Sequence, residues 1–348
     1  MSIKVFIVDD SPFMRKIFSD ILSDTAGLEV IGTSRSGRDT IRRLDTLKPD
    51  IILMDVNMPG LSGFEALKLI KEKTSIRIIM MSSQGGEDVT IKALESGAED
   101  FIGKPQDLKN TSTEFKKELE YRIKSLFKNE WVRKEKPLKK NPAVRKRISE
   151  KTVFSNQDLP KKVEAITIGA STGGPRALMQ LIPLFPADLS IPVLVVQHMP
   201  AGFTASFANR LNAESNVTVV EAVDGLPVEK GVVYIAPGNY HMIVENKTIR
   251  LLSTPKMHGV RPAVDILFES VAKEYGSKVL GVILTGMGYD GTQGLYDIKA
   301  AGGYSLAQDE ATSVVYGMPK NAVENGVVDQ CIGLKEISEI LNQMIKVS

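Results

Sequence analysis

Short, unbroken apolar runs recur along the chain, each closed by small or polar residues and followed by a segment of helical period. In the first 124 residues the runs are IKVFIV, LEVIG, IILMD, IRIIMM and DFIG. Strands that are apolar at nearly every position are buried on both faces, and strand–helix alternation buries them in a parallel sheet with helices on both sides. From about Val163 the alternation restarts with EAITIGA, IPVLVVQ, VTVVEAV, VVYIAPG, KVLGVIL and YSLAQ. Between them, HMIVENKTIRLL reads as two strands across an Asn-Lys turn. The expected fold is therefore α/β twice over: two doubly wound parallel-sheet domains, the second carrying a small β-hairpin. In the first helix, Phe13, Ile17 and Ile21 fall one turn apart, with Ser11 as N-cap and Pro12 in the first turn.

The 348 residues suffice for two cores. Between the two alternating regions the charge changes character. Residues 125–162 hold 12 Lys/Arg against 4 Asp/Glu, a net +8, which leaves the remainder at −6 of the chain's +2. This stretch, with prolines and no steady apolar period, reads as a flexible basic linker, either a solvated tether or a docking site for an acidic surface. Its most basic run, VRKEKPLKKNPAVRKRISEK, lacks the interleaved aromatic residues of a nucleic-acid platform, so no nucleic-acid partner is expected. The predicted organisation is 1–124, linker 125–162, and 163–348. A single cysteine, Cys331, excludes an internal disulfide and a cysteine zinc cluster. No apolar run approaches the roughly 18 residues of a membrane span, and MSIKVFIVDD reaches acidic residues too early for a secretory leader. A cytoplasmic protein, not inserted in a membrane, is expected.

In a parallel sheet, sites form at the carboxyl ends of the strands. Asp9, Asp10, Asp55, Ser82 and Lys104 all fall at such ends in the first region. Clustered carboxylates repel one another unless a cation joins them, Mg²⁺ prefers oxygen ligands, and lysine offers a point charge to phosphoryl oxygens. The set reads as a cation-plus-phosphoryl site. With Asp55 followed by Met58-Pro59-Gly60, and with Lys104-Pro105, this region resembles the receiver domain of bacterial response regulators over its whole length. The resemblance implies that Asp55 accepts a phosphoryl group from a histidine kinase. It implies Mg²⁺ held by Asp9, Asp10 and Asp55 with the backbone carbonyl of Asn57, a Ser82 that follows the phosphoryl group, and Phe101 as the aromatic reporter of that movement.

In the second region, the strand EAITIGA runs into STGGPRAL. A phosphate cradle would need G-x-G-x-x-G, or a lysine after the glycines, and neither is present. Gly169-Ala170-Ser171-Thr172-Gly173 does satisfy G-x-S-x-G between a strand and a helix, the setting of a nucleophile elbow, although a tight turn capped by serine gives the same five residues. A base is required, and only His198, His241 and His258 exist. His198 follows a strand at its carboxyl end, as Ser171 does, whereas His241 opens a strand and His258 lies in a loop. Asp290, in the glycine-rich loop after KVLGVIL, completes a candidate set at one sheet edge.

The chain order Ser, His, Asp, with GASTGGP, QHMP, HGVRPAVD and LTGMGYDG behind a receiver and a linker, resembles the chemotaxis protein-glutamate methylesterases over nearly all residues. The resemblance implies hydrolysis of glutamyl methyl esters, and deamidation of glutamines, on chemoreceptors. Ser171 is then the nucleophile, His198 the base and Asp290 its orienting acid. Backbone N–H groups of Thr172 and Met287 form the oxyanion hole, no cofactor serves the catalytic domain, and the protein is a monomer. A phosphorylation-gated serine hydrolase for another substrate and a non-catalytic adaptor are the rival readings; intact Ser171, His198 and Asp290 argue against the adaptor.

Overall fold

A computed structural model describes residues 2–82, 91–94, 96–104, 113–127, 159–160 and 162–347. Pro105 and nearly all of the basic stretch lie outside the described residues; of the helix that VTIKALESGA, residues 89–98, predicts, 91–94 and 96–98 fall within them, and 91–94 are helical.

The first sheet contains β1 (Ile3–Val8), β2 (Leu28–Ser34), β3 (Ile51–Asp55), β4 (Arg77–Ser82) and β5 (Asp100–Gly103), all parallel in the order β2-β1-β3-β4-β5. The chain reverses its direction of travel between β1 and β3, so the carboxyl ends of these two strands open a crevice there. The sheet is covered by α1 (Pro12–Ser23), α2 (Gly37–Leu47), α3 (Gly63–Lys73) and α4 (Thr113–Ser125). Ser11 caps α1, its hydroxyl accepting from the Met14 N–H at 3.3 Å. The helix is rotated relative to the expected stripe. Met14, Phe18, Ile21 and Leu22 are buried, while Phe13 is 51% exposed and Ile17 half-buried. The i, i+4 series from Met14 through Phe18 to Leu22 carries the larger rings and chains to the sheet, which leaves Phe13 outside.

The second sheet has seven parallel strands: β6 (Ala165–Ala170), β7 (Val193–Gln197), β8 (Thr218–Glu221), β9 (Val232–Ile235), β12 (Val279–Ile283), β13 (Tyr304–Gln308) and β14 (Gln330–Ile332), in the order β14-β13-β12-β6-β7-β9-β8. The hairpin β10 (His241–Glu245) and β11 (Thr248–Leu252) stands as a separate antiparallel pair. Asn246 and Lys247 turn it with φ of 51° and 56°, the two positive angles of a type I′ turn. The helices are α5 (Gly174–Leu181), α6 (Phe203–Glu214), α7 (Val264–Tyr275), α8 (Thr292–Ala300), α9 (Met318–Glu324) and α10 (Leu334–Val347). Neither α9 nor β14 was expected; at seven and three residues both are too short to show a period. In this sheet the change of direction falls between β6 and β12, the strands that lead to Ser171 and Asp290.

The two sheets do not stand apart. Phe101 of β5 stacks on Phe203 at the start of α6, ring centres 4.7 Å apart and planes within 27°. Val315 is buried in the same apolar cluster as Ile7, Phe18 and Leu119, with Met287 and Val314 packed against it. No described helix is long and apolar enough to cross a membrane.

Candidate active site and phosphoryl-acceptor site

At the β1–β3 crevice the Lys104 ammonium lies 2.8 Å from both Asp9 and Asp55 carboxylates. Asp9 and Asp55 are buried, and Asp10 is exposed beside them. Oxygen atoms from all three acids lie within 4.8 Å of one another, close enough to share one cation, and this all-oxygen set suits Mg²⁺. Burial raises the Asp55 carboxyl above its ordinary range, against the pull of Lys104 and of the Asn57 N–H. Burial would depress Lys104, but its hydrogen bonds to Asp55 and Asp9 outweigh this and hold it above its usual value. Ser82 ends β4, next to β3, and is 1% exposed.

In the second sheet Ser171 directly follows β6 and His198 directly follows β7. The two strands pair to their last residues, and the His198 N–H donates to the Ala170 carbonyl at 3.1 Å. The elbow turns through Gly173, whose φ of 78° needs glycine, and α5 begins there. Gly286 makes the other close approach: a Cβ on it would come within 2.8 Å of the Ser171 Cβ.

The His198 Nε2–H donates to Asp290 Oδ2 at 2.8 Å, and both side chains are nearly buried. This leaves Nδ1 as the ring nitrogen available to a nucleophile. The Ser171 hydroxyl itself donates to no described residue; such bonds often tighten only when substrate is bound. The Asp290 carboxylate also accepts from the backbone N–H groups of Val264, at 2.8 Å, and Asp265, at 2.9 Å. These open α7, whose own N-cap is Ala263 and supplies no side chain. Asp290 therefore caps α7 from another loop, and the helix dipole favours its charge. Asp265 returns the arrangement, accepting from Gly291 and Gly294 N–H at 2.8 Å each, at the start of α8. The two carboxyls diverge in consequence. Burial raises both, but at Asp290 the His198 ring and the two N–H groups prevail and set it below its usual range. Asp265 stays raised, by burial and by the charge of Asp290. Two acids whose surroundings drive them apart mark a functional site.

Asp265 is the residue that reading the sequence missed. It accepts from His258 Nε2 at 2.9 Å, and the His258 ring meets Tyr289 edge-on at 4.6 Å. Its only signal was a place in the first turn of a helix after HGVRPAV. His241, set aside for its position, is fully buried at the start of β10: Nδ1 accepts from the Ala263 N–H and Nε2–H donates to the Pro255 carbonyl, both at 3.1 Å.

Thr172 and Met287 share one backbone arrangement. The Ser171 carbonyl accepts from the Gly174 N–H at 2.7 Å and from Gln197 Nε2 at 3.0 Å. The Gly286 carbonyl accepts from the N–H groups of Gly317 at 3.0 Å and Met318 at 2.8 Å. In a trans peptide the N–H points opposite its carbonyl. Two doubly anchored carbonyls thus aim the Thr172 and Met287 N–H groups, which donate to no described residue.

A family model described as CheB methylesterase matches residues 166–341, and one described as response regulator receiver domain matches residues 5–115. A protein-glutamate methylesterase/protein-glutamine glutaminase of Pyrococcus horikoshii is 43% identical over 352 residues, 99% of this chain and 94% of the relative. The chain belongs to the CheB methylesterase family. A second relative of the same description, from Clostridium acetobutylicum, is also 43% identical, covering 99% of this chain and 98% of its own. Among solved structures, the Thermotoga maritima CheB methylesterase catalytic domain is 44% identical with a TM-score of 0.51, covering 54% of this chain and all of that one. The receiver match thus covers the first sheet from Val5 onward and the CheB methylesterase match the second from Ile166 onward, with the basic stretch between them.

Proposed function

We propose that this protein hydrolyses glutamyl methyl esters on chemoreceptors, and deamidates glutamines there, when Asp55 is phosphorylated by a histidine kinase. The reading divides the chain into a receiver, residues 1–124, a basic linker, 125–162, and a catalytic domain, 163–348, acting as a monomer in the cytoplasm. The observation that carries it is the His198–Asp290 pair, 2.8 Å apart, at the strand end beside Ser171. In this mechanism Ser171 Oγ attacks the ester carbonyl while its proton passes to His198. Asp290 stabilises the imidazolium and holds its orientation. The oxyanion receives the N–H groups of Thr172 and Met287; one such donor is worth about 10²–10³ in rate. His198 then gives its proton to the departing methanol, or to ammonia from an amide. Water, deprotonated by His198, releases the acyl group as glutamate and restores Ser171.

In the receiver, Asp9, Asp10, Asp55 and the Asn57 carbonyl would hold Mg²⁺. Bound there, the ion offsets the charge of phosphoryl oxygens. Lys104 supplies a further positive charge, Asp55 is the acceptor, and Ser82 and Phe101 respond to the new group.

The test is methanol release from methylated receptor membranes with and without a small phosphodonor. Wild type should be slow until phosphorylated, and Ser171→Ala inactive throughout. Wild-type turnover by Ser171→Ala would refute the reading.

A further inference from the structure

We infer that Gln197 is a positioning residue for the oxyanion site, fixing the Ser171–Thr172 peptide so that the Thr172 N–H meets the developing charge. The inference rests on the hydrolase reading above. Gln197 ends β7 and is 2% exposed. Its amide Nε2 donates to the Ser171 carbonyl at 3.0 Å and to the His198 carbonyl at 3.2 Å. One side chain therefore ties the peptide after the nucleophile to the peptide after the base. The amide orientation follows from these partners, since the flipped form would set its oxygen against two carbonyl oxygens.

The remaining amide oxygen has no partner among the described residues, although it is buried. An apolar side chain of similar volume would avoid that unsatisfied acceptor, so shape alone does not account for an amide here. The elbow makes room for it: a Cβ on Gly174 would strike the Gln197 Oε1. Thus the second glycine of STGGP and the glutamine of QHMP form one device. The contrast with Met287 is informative. Its aiming carbonyl, Gly286, takes two backbone donors, while that of Thr172 takes one backbone donor and Gln197. A carbonyl that accepts two hydrogen bonds also polarises its peptide, making the N–H a better donor.

The experiment uses the full-length, phosphorylated protein on methylated receptor membranes, with Gln197→Met and the isosteric Gln197→Glu. Melting temperatures confirm that each variant folds. Both should lose about 10–100-fold in kcat, less than the 10²–10³ of losing a donor outright. KM should stay within about two-fold, and in the neutral Gln197→Met the pH midpoint of kcat/KM should not move, because His198 keeps Asp290. Affinity for a boronic acid, whose tetrahedral adduct on Ser171 places an oxygen in the oxyanion site, should weaken by the same factor as kcat/KM. Wild-type kcat in both variants would overturn the inference. So would a loss carried by KM, or a shifted pH midpoint in Gln197→Met, which would assign Gln197 to substrate binding or to His198. Equal background from wild type and Ser171→Ala would refute the hydrolase reading itself, and this inference with it.

Discussion

Replacing Phe101 by leucine removes the ring that rests on Phe203 but keeps an apolar side chain against β4. The two rings are 2% and 4% exposed and stacked at 4.7 Å. Phe203 opens α6, five residues after His198. From the loops after β12 and β13, Met287 and Val315 pack into the receiver's apolar cluster, and a Cβ on Gly288 would approach the Tyr121 hydroxyl to 3.2 Å. The receiver therefore lies against the loops that bear His198 and Met287, and the stack is one of the contacts that keep it there. An aromatic pair is worth about 0.5–1.5 kcal/mol beyond its buried area. If that energy holds the closed arrangement, losing it shifts the closed–open balance by about 2- to 12-fold. Unphosphorylated Phe101→Leu should accordingly release methanol from receptor membranes about 2- to 12-fold faster than wild type. If phosphorylation releases this contact, the phosphorylated enzymes should differ little. Phe203→Leu should act similarly, and the double variant should gain no more than either single one, because the pair acts as a unit. Unchanged basal activity in both single variants, or fully additive gains in the double, would refute a role for the stack in holding the receiver closed.

Asp290→Asn should lower kcat by about 10⁴-fold, as loss of the orienting carboxylate does in such triads, with KM little changed. The same variant should lower stability by about 1–3 kcal/mol, because one of the two buried N–H groups that open α7 loses its acceptor; thermal unfolding followed beside methanol release checks both. His241 gives a pH dependence. Its burial holds the ring below its ordinary value of 6.5, so between that pH and the lowered folded value the unfolded chain binds more proton than the folded one. Its contribution is thus complete above about pH 6.5 and is lost as pH falls, with a slope of up to about 1.4 kcal/mol per pH unit. Urea midpoints at pH 7.5 and 5.5, read by hydrogen exchange in β6 and β7, should differ less in His241→Gln than in wild type; an equal difference would refute the assignment.

The strand–helix alternation and the residues at strand ends were legible in the chain itself. Asp9, Asp55, Ser82, Ser171 and His198 each close an apolar run, and parallel strands place all such ends at one edge. Chemistry at those positions therefore follows from local pattern and one rule of topology. The network around Asp290 does not. Its bonds to Val264 and Asp265, the cap that Asp265 returns to α8, and the grip of Gln197 on Ser171 exist only because β12 and β7 lie on either side of β6, which joins residues far apart in sequence. The contact of Phe101 with Phe203 depends on how the two sheets meet, and the true buried face of α1 on which of two adjacent stripes the sheet selects. Side-chain period and turn chemistry act over a few residues and can be read one segment at a time. Capping across loops, hydrogen bonds between strand ends and packing between sheets are pair interactions, and only the folded chain decides which pairs are made.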